Sequence, residues 1–506
     1  MATLAALFWP IRRGEYRKFI LMFFISFLTC FNYYLLKITK DTVLITAPYS
    51  GAEAIPFVKV WAILPAAFLM TFCFTRLSNF FNQRAVFYAV IWLFVFYFVL
   101  FIAVLYPNRE LLTPTSLAHY LETLLPKGLG GLTAIIRNWI LTTFYVMSEM
   151  WSTMVMTILF WGLANDVTSV KDAKRFYGLL YFGTNLSGII AGIIASALSM
   201  HIFNPSLPFG RDAWDQSITF TTLIVIGVSL ICMLLYWWLN QSGLGYTEDQ
   251  LIFRKKAPIK MGIRKNFSYL AKSKYLTCIA FLVISLNIVI NLAEVVWKDQ
   301  VKQLYPSPAE FNAYMASINF WIAIIAAFIS LFVSGNLIRI VGWTKSALVA
   351  PILALVTGGL FFAVLLIPSY SLVSFCAFLG SSPLGIAILL GSLQNCLLRG
   401  TKTSLIDSTK ELAFIPLNPE SRLKGKAAID GLVSRLGKSG SAFMYQILLI
   451  CFGSILGSVQ IVALLTFLTI IVWISCINSL GKQFNQLTSS PQATPSTSDQ
   501  ESPLFT

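Results

Sequence analysis

Charge is scarce in this chain, and acid is scarcer than base. Of 506 residues, 11% are charged, and Lys and Arg outnumber Asp and Glu by 37 to 21. The two histidines, His119 and His201, stand far apart and read as bystanders; no metal and no cofactor is expected. The eight cysteines fall in or beside apolar runs, with neither zinc spacing nor a disulfide framework, and read as small hydrophobes. HExxH, GxSxG, CxxC and a strand–helix GxGxxG are missing, so an enzyme is not expected. The stretch GLVSRLGKS at 431–439 approaches a P-loop. Five residues rather than four separate Gly431 and Gly437, however, and a hydrophobic run follows where a βαβ unit would need a helix.

What is present is apolar. Hydrophobic residues make up 57% of the chain, more than a soluble protein of this length could hide, so an all-α polytopic membrane protein is expected. Hydropathy predicts twelve spans, near 18–45, 57–76, 85–106, 129–163, 177–202, 217–239, 277–302, 314–338, 345–367, 384–409, 430–456 and 459–480. The basic head (Arg12, Arg13, Arg17, Lys18) runs into a first helix too long for a cleaved signal peptide. Basic loops at 76–84, 166–175, 339–345 and 399–426, and a basic linker at 241–276, fall on the side of the N-terminus. The positive-inside rule puts both termini in the cytoplasm. Residues 483–506, rich in Ser, Thr, Pro and Gln, are expected to be a disordered tail. The net charge of +16 is assigned to loops and to positions within helices; no nucleic-acid partner is expected.

Polar residues inside the apolar runs carry the functional signal. In Cys278 to Lys302, Asn287, Asn291, Glu294 and Lys298 share one face at helical spacing. A charge near the bilayer centre costs at least roughly 2.5–3.5 kcal/mol, so this face must look into a bundle or a watery cavity. Span 4 has a matching stripe of Asn138, Thr142, Tyr145, Glu149 and Ser152. Span 10 has Asn395, Arg399 and Lys402, then Asp407 and Lys410; span 1 has Thr29, Tyr33 and Lys40, with Lys37 beside them. Span 11 adds Ser434, Lys438, Ser441 and Tyr445. Spans 2, 3, 6, 8, 9 and 12 lack such stripes and read as lipid-facing scaffold.

The two halves of the chain resemble each other. Asn79 and Asn336, Pro126 and Pro383, Gly128 and Gly385, and Asn138 and Asn395 all keep an offset of 257; Lys40-Asp41 and Lys298-Asp299 are 258 apart. Two parallel six-helix repeats, 1–240 and 277–482, are therefore expected. That is the major-facilitator plan, with a site at the midplane between the repeats. Within it Lys37, Lys40, Arg137, Lys298, Arg399, Lys402 and Lys438 outnumber Glu149, Glu294 and Asp407. One reading is internal ion pairing that locks the bundle. The other is a cavity with surplus positive charge that an anion completes, and Lys and Arg at several points suit a polyphosphate. Tyr33, Tyr145 and Tyr445 either stack on a base or simply pack.

Long strings of the sequence are similar to one family. LKITKDTVLITAPYSGAEAIPFVKVW (35–60), RNWILTTFYVMSEMWSTMVMTILFWGLAND (137–166), NLAEVVWK (291–298), SLIDSTKELAFIPL (404–417) and KGKAAIDGLVSRLGKSG (424–440) resemble the bacterial and plastidic nucleotide transporters, the ATP/ADP translocase family. The likeness extends over nearly the whole chain and is nearest to transporters of chlamydia-like intracellular bacteria. It implies a major-facilitator-like fold, and transport roles for Lys40, Glu149, Glu294 and Lys438. Many ATP/ADP exchangers of the family read L-R-D-T-K-D where this chain has Leu36-Lys37-Ile38-Thr39-Lys40-Asp41. Ile38 thus replaces a carboxylate. It either bears on selectivity from the cavity wall or faces lipid.

The expected function is nucleotide transport across a bacterial cytoplasmic membrane, most simply ATP/ADP exchange by alternating access. The alternative is proton-coupled import of triphosphates such as UTP or GTP, with Glu149, Glu294 or Asp407 carrying the proton. A scaffold or receptor held by structural ion pairs is the reading from another class. Expected substrate contacts are Tyr33, Lys37, Lys40, Asn138, Tyr145, Glu149, Asn291, Glu294, Asn395, Arg399, Lys402 and Lys438, in a protein expected to be a monomer in the lipid bilayer.

Overall fold

The computed structural model describes residues 11, 13–168, 170–244, 273–417, 425–426 and 428–489, and these contain helices and no strand. Long apolar runs leave the backbone no polar partner except itself, so helices are the available solution. The principal ones are α1 (Tyr16–Ile45), α2 (Ala54–Phe80), α3 (Gln83–Leu105), α4 (Trp139–Asn165), α5 (Val170–Ala197) and α6 (Ala213–Gln241). Then follow α7 (Lys274–Leu304), α8 (Pro308–Val333), α9 (Trp343–Leu366), α10 (Pro383–Ala413), α11 (Ser434–Phe452) and α12 (Ile455–Ser489). Local chemistry sets several starts. The side chains of Asn82, Asp212, Ser273 and Ser382 accept backbone N–H bonds from Ala85, Asp215, Leu276 and Gly385.

Eleven helices among the described residues are long and apolar enough to cross a membrane, one fewer than the twelve expected. The one that falls short is α11, which carries Arg435, Lys438, Ser441 and Gln446, with Ser441 accepting from Asn291 of α7. The final helix continues to Ser489, so residues 483–489 are not tail: Phe484 stacks on Trp343 at 5.2 Å and holds that turn. Most of the linker at 241–276, and the tail beyond Ser489, lie outside the described residues.

Two spans expected to be scaffold also send polar side chains inward. Helix α8 packs against α5, α1 and α10, and buries Asn312 and Asn319 there. Helix α2 sends Lys59 inward to Asn291. Helices α3 and α6 do show broad apolar faces outward, with Phe96, Leu230 and Leu234 exposed.

The first six helices meet the last six at one end. Gly128 lies against the backbone of Leu449 and Ile450, Gly188 against Ala323, and Gly192 against Phe320. Added Cβ atoms would come within 2.2, 3.0 and 2.9 Å of their neighbours there, so only glycine permits this approach. Thr42 donates to Asn312, Asn312 to Ser199, and Gln446 to the Pro56 carbonyl. All these groups lie in the half of the molecule where α1 and α7 end. At the opposite end no hydrogen bond or ion pair joins the two sets among the described residues.

Candidate functional site

Helices α1 and α7 bring charged turns near their C-terminal ends to face each other. Lys298 Nζ lies 2.8 Å from Asp41 Oδ2 and 2.8 Å from Glu294 Oε1. Glu294 Oε2 accepts Arg399 at 2.7 Å. On the other side Lys40 Nζ reaches Asp41 Oδ1 at 3.1 Å and Glu149 Oε2 at 3.5 Å. The result is one continuous chain, Arg399–Glu294–Lys298–Asp41–Lys40–Glu149. Three cations alternate with three carboxylates, and the Lys298–Asp41 link alone passes from one half to the other. Lys40 also sits 3.8 Å from the Tyr145 ring centroid, a cation–π contact. Lys298 and Lys40 are 2% and 5% exposed, so their desolvation is offset only by these partners.

Around this neutral chain stand four lysines with no acid within 4 Å among the described residues. Lys37 donates to Asn319 Oδ1 at 3.4 Å, and Lys59 to Asn291 Oδ1 at 2.9 Å. Lys438 is exposed toward the open end and acts electrostatically on both Glu149 and Lys402. Lys402 lies in a π-helical stretch, Lys402–Ile406, that follows Arg399. A similar stretch, Ser152–Phe160, follows Glu149 in α4. Such wide turns locally re-aim side chains and recur at functional sites.

The stripes therefore bring together Lys37, Lys40, Tyr145, Glu149, Asn291, Glu294, Asn395 and Arg399. Asn291 also donates to Ser441 Oγ at 2.9 Å, joining α7 to α11. Tyr33 is half-buried on the same face of α1. Ile38, 2% exposed, belongs to the cavity wall and not to the lipid face. Ile38 thus lines a small, partly open cavity between α1, α7, α8 and α10.

Other expected positions lie elsewhere. Asn138 breaks the helix at φ −97°, ψ 43°, and its amide donates to the carbonyls of Pro48 and Ala134. It lines a separate outer cavity of about 950 Å³ with Arg109, Arg137 and Asp215. Arg137 is paired there with Glu122 at 2.8 Å. Asp407 stays near Lys410, 4.0 Å away, at the open end. Tyr445 is packed in the core. Two residues of the site escaped the sequence reading. Asp41 was visible beside Lys40 but unassigned. Lys59 stands alone in an apolar run, which is itself a signal inside a membrane.

Comparison with known proteins bears on the family and the fold. The profile of the family described as TLC ATP/ADP transporter matches residues 1–484. The chain is 41% identical over 487 residues to ADP,ATP carrier protein 1 of Chlamydia trachomatis serovar D, covering 95% of this chain and 91% of that one. It is 38% identical over 475 residues to ADP,ATP carrier protein 1, chloroplastic, of Arabidopsis thaliana, covering 94% and 75%. Among solved structures, a bacterial homologue of the iron transporter ferroportin in an inward-facing state superposes with a TM-score of 0.50 at 15% identity, covering 92% of this chain and 100% of that one. A bacterial homologue of the lysosomal transporter Spinster also gives 0.50, at 12% identity, covering 95% and 100%. These likenesses place the fold among major-facilitator-like transporters. An all-helical bundle, a family match to residues 1–484 and relatives about 40% identical over nearly the whole length make this chain a member of the TLC ATP/ADP transporter family.

Proposed function

We propose that this protein exchanges ATP for ADP across a bacterial cytoplasmic membrane by alternating access between repeats 1–240 and 277–482, with both termini and the linker in the cytoplasm. The observation that carries the proposal is the charge arrangement: a neutral six-member ion chain flanked by four lysines without acids. An anion of high valence is what such a site lacks. Charge-assisted bonds from Lys37, Lys40, Lys402, Lys438 and Arg399 suit phosphoryl oxygens. Glu149, Glu294 and Asp41 hold the cations while the site is empty and yield them as phosphate enters. A single copy contains the complete arrangement, so the working unit is a monomer. All twelve long helices, α11 included, cross the bilayer; Ser441 and Gln446 of α11 bond to α7 and α2.

This conformation has the half holding the ends of α1 and α7 closed and the side of the N-terminus open, which is the cytoplasm-facing state. Exchange is favoured over proton symport because Glu149 and Glu294 are each engaged with a cation and thus poorly placed to bind a proton. The test is uptake of labelled ATP into proteoliposomes with and without internal ADP, and with and without a proton uncoupler. Exchange needs internal ADP and ignores the uncoupler. Uptake into empty vesicles that the uncoupler abolishes would establish the proton-coupled alternative, with UTP and GTP as the next substrates to try.

A further inference from the structure

The connection between α3 and α4 holds a ten-residue helix, Thr115–Leu124, that transport does not use. Its side chains sort into three sectors at helical spacing. Ala118 is fully buried and Glu122 Oε1 meets Arg137 at 2.8 Å, so one sector rests on the protein. Thr115, Ser116, His119 and Thr123 form an exposed polar sector, with His119 Nδ1 3.3 Å from Glu122. Leu117, Tyr120 and Leu124, spaced three and four apart, form the third; they are 49%, 63% and 64% exposed. A face of large apolar side chains beside a polar one, both turned away from the core, matches a boundary between hydrocarbon and water.

The place of the helix in the fold supplies that boundary. The apolar run of α3 ends at Leu105 and that of α4 begins at Trp139, so the connection lies where the hydrocarbon layer stops. Trp139 is partly exposed, and its indole N–H donates to the Leu112 carbonyl at 2.9 Å. Tryptophan at the end of a span is characteristic of the membrane–water interface. On α3, Trp92, Phe96 and Val99 face outward into lipid. Leu111, Leu112 and then Leu117 continue that exposed apolar series along the chain. The head, the linker and the tail attach to the starts of α1 and α7 and the ends of α6 and α12. Those points lie at the opposite end of the bundle, so the bilayer separates them from this face.

We propose that Thr115–Leu124 is an interfacial helix whose partner is the lipid surface of the outer leaflet. Leu117, Tyr120 and Leu124 sit at the boundary between headgroups and acyl chains, and His119 points to water. The ion pair of Glu122 with Arg137 passes this hold to the start of α4, the span that carries Glu149. The matching connection of the second half, between α9 and α10, also holds a ten-residue helix, Ser369–Phe378, with Tyr370, Val373 and Phe378 exposed. Its polar residues are serines, without a charge, so the helix of the first half is the one whose orientation is chemically fixed. The word outer rests on the topology proposed above; the seating in the interface does not, and neither depends on the substrate.

The test is footprinting of the unaltered full-length protein in vesicles of phosphatidylcholine and phosphatidylglycerol. One reagent is a carbene-generating probe dissolved in the hydrocarbon; the other is hydroxyl radical generated in the water. Mass spectrometry of peptides reads both. Leu117, Tyr120 and Leu124 should take carbene label as Phe96 does, severalfold above His119, while His119 is oxidised from the water. Oxidation of Tyr120 to the level of His119, without carbene label, overturns the proposal by placing the face in water. A Tyr120 that takes neither reagent also overturns it, because the face is then covered by a second copy or another protein.

Discussion

Two polar regions lie in the same bundle and differ in their bookkeeping of charge. In the outer cavity each arginine has its own acid: Arg109 Nη2 meets Asp215 at 2.9 Å, Arg137 meets Glu122, and Arg211 meets Glu110 at 3.0 Å. Aromatic rings complete the enclosure, with Arg109 4.3 Å from the Tyr106 centroid and Arg137 4.1 Å from that of Tyr49. In the central site the carboxylates are shared, each lysine of the chain touches two, and four further lysines have none. Paired charges staple helix ends together. Shared and surplus charges form an arrangement that a ligand can re-partner.

The largest effect should come from breaking the shared link between the halves. Asp41→Asn removes a partner from Lys298 and Lys40 at once, and removing one member of a buried pair costs about 3–5 kcal/mol. ATP exchange should fall at least about a hundredfold, since even ~3 kcal/mol corresponds to more than two decades. The double change Asp41→Lys with Lys298→Asp should recover part of the loss, because it restores opposite charges across the seam. No recovery in vesicle exchange assays would mean the link is not the operative contact.

Next come a surplus cation, Lys438, and one within the ion chain, Lys40. Lys438→Ala or Lys40→Ala should weaken ATP about tenfold and AMP less, because each lost charge-assisted bond is worth about 1.5–3 kcal/mol and AMP offers fewer partners. Equal losses for ATP and AMP, measured by competition, would make these lysines structural. Glu294→Gln frees Arg399 and Lys298 without removing a cation. Binding should hold or tighten while net uptake into empty vesicles falls several-fold more than exchange, since net uptake requires the empty carrier to return. Abolished binding with unimpaired exchange would contradict that role.

The smallest effect on transport should come from the outer cavity. Arg137→Gln breaks the pair with Glu122 and is expected to cost about 1–3 kcal/mol of stability, seen as a lowered unfolding temperature. KM for ATP should change less than about twofold, a change of ~0.4 kcal/mol. A larger change in KM would make the outer cavity part of the transport path.

Much of the central site was legible because helical periodicity survives where helices are unbroken. Asn291, Glu294 and Lys298 fall on one face of α7, and that face meets Lys59, Asp41 and Arg399. The same rule misled at Asn138. The stripe through span 4 assumed a continuous helix, but the chain turns at that residue, and the turn diverts its amide to the Pro48 carbonyl. Lys59 and Asn319 were missed for a different reason. Each serves the site from a helix whose remaining inward residues are mostly apolar, so no stripe marks it. Asn312 and Asn319, seven residues apart, do share a face of α8, and that spacing was the available signal. The partner of Asp41 depends on how two halves of the chain dock, which no local pattern encodes.

The glycines at the closed end bear on how the seam opens. Where Gly188 and Gly192 of α5 meet Ala323 and Phe320 of α8, the helices approach closely, so parting them forfeits that packing. Opposition to parting is shared among this contact, the Thr42–Asn312 and Gln446–Pro56 hydrogen bonds and the Lys298–Asp41 link. Two access states must still lie within a few kcal/mol of each other for a ligand's differential affinity to reverse their order. Of these contacts the ion pair is the one whose members an entering anion can re-partner, so it is where a ligand can act on the seam.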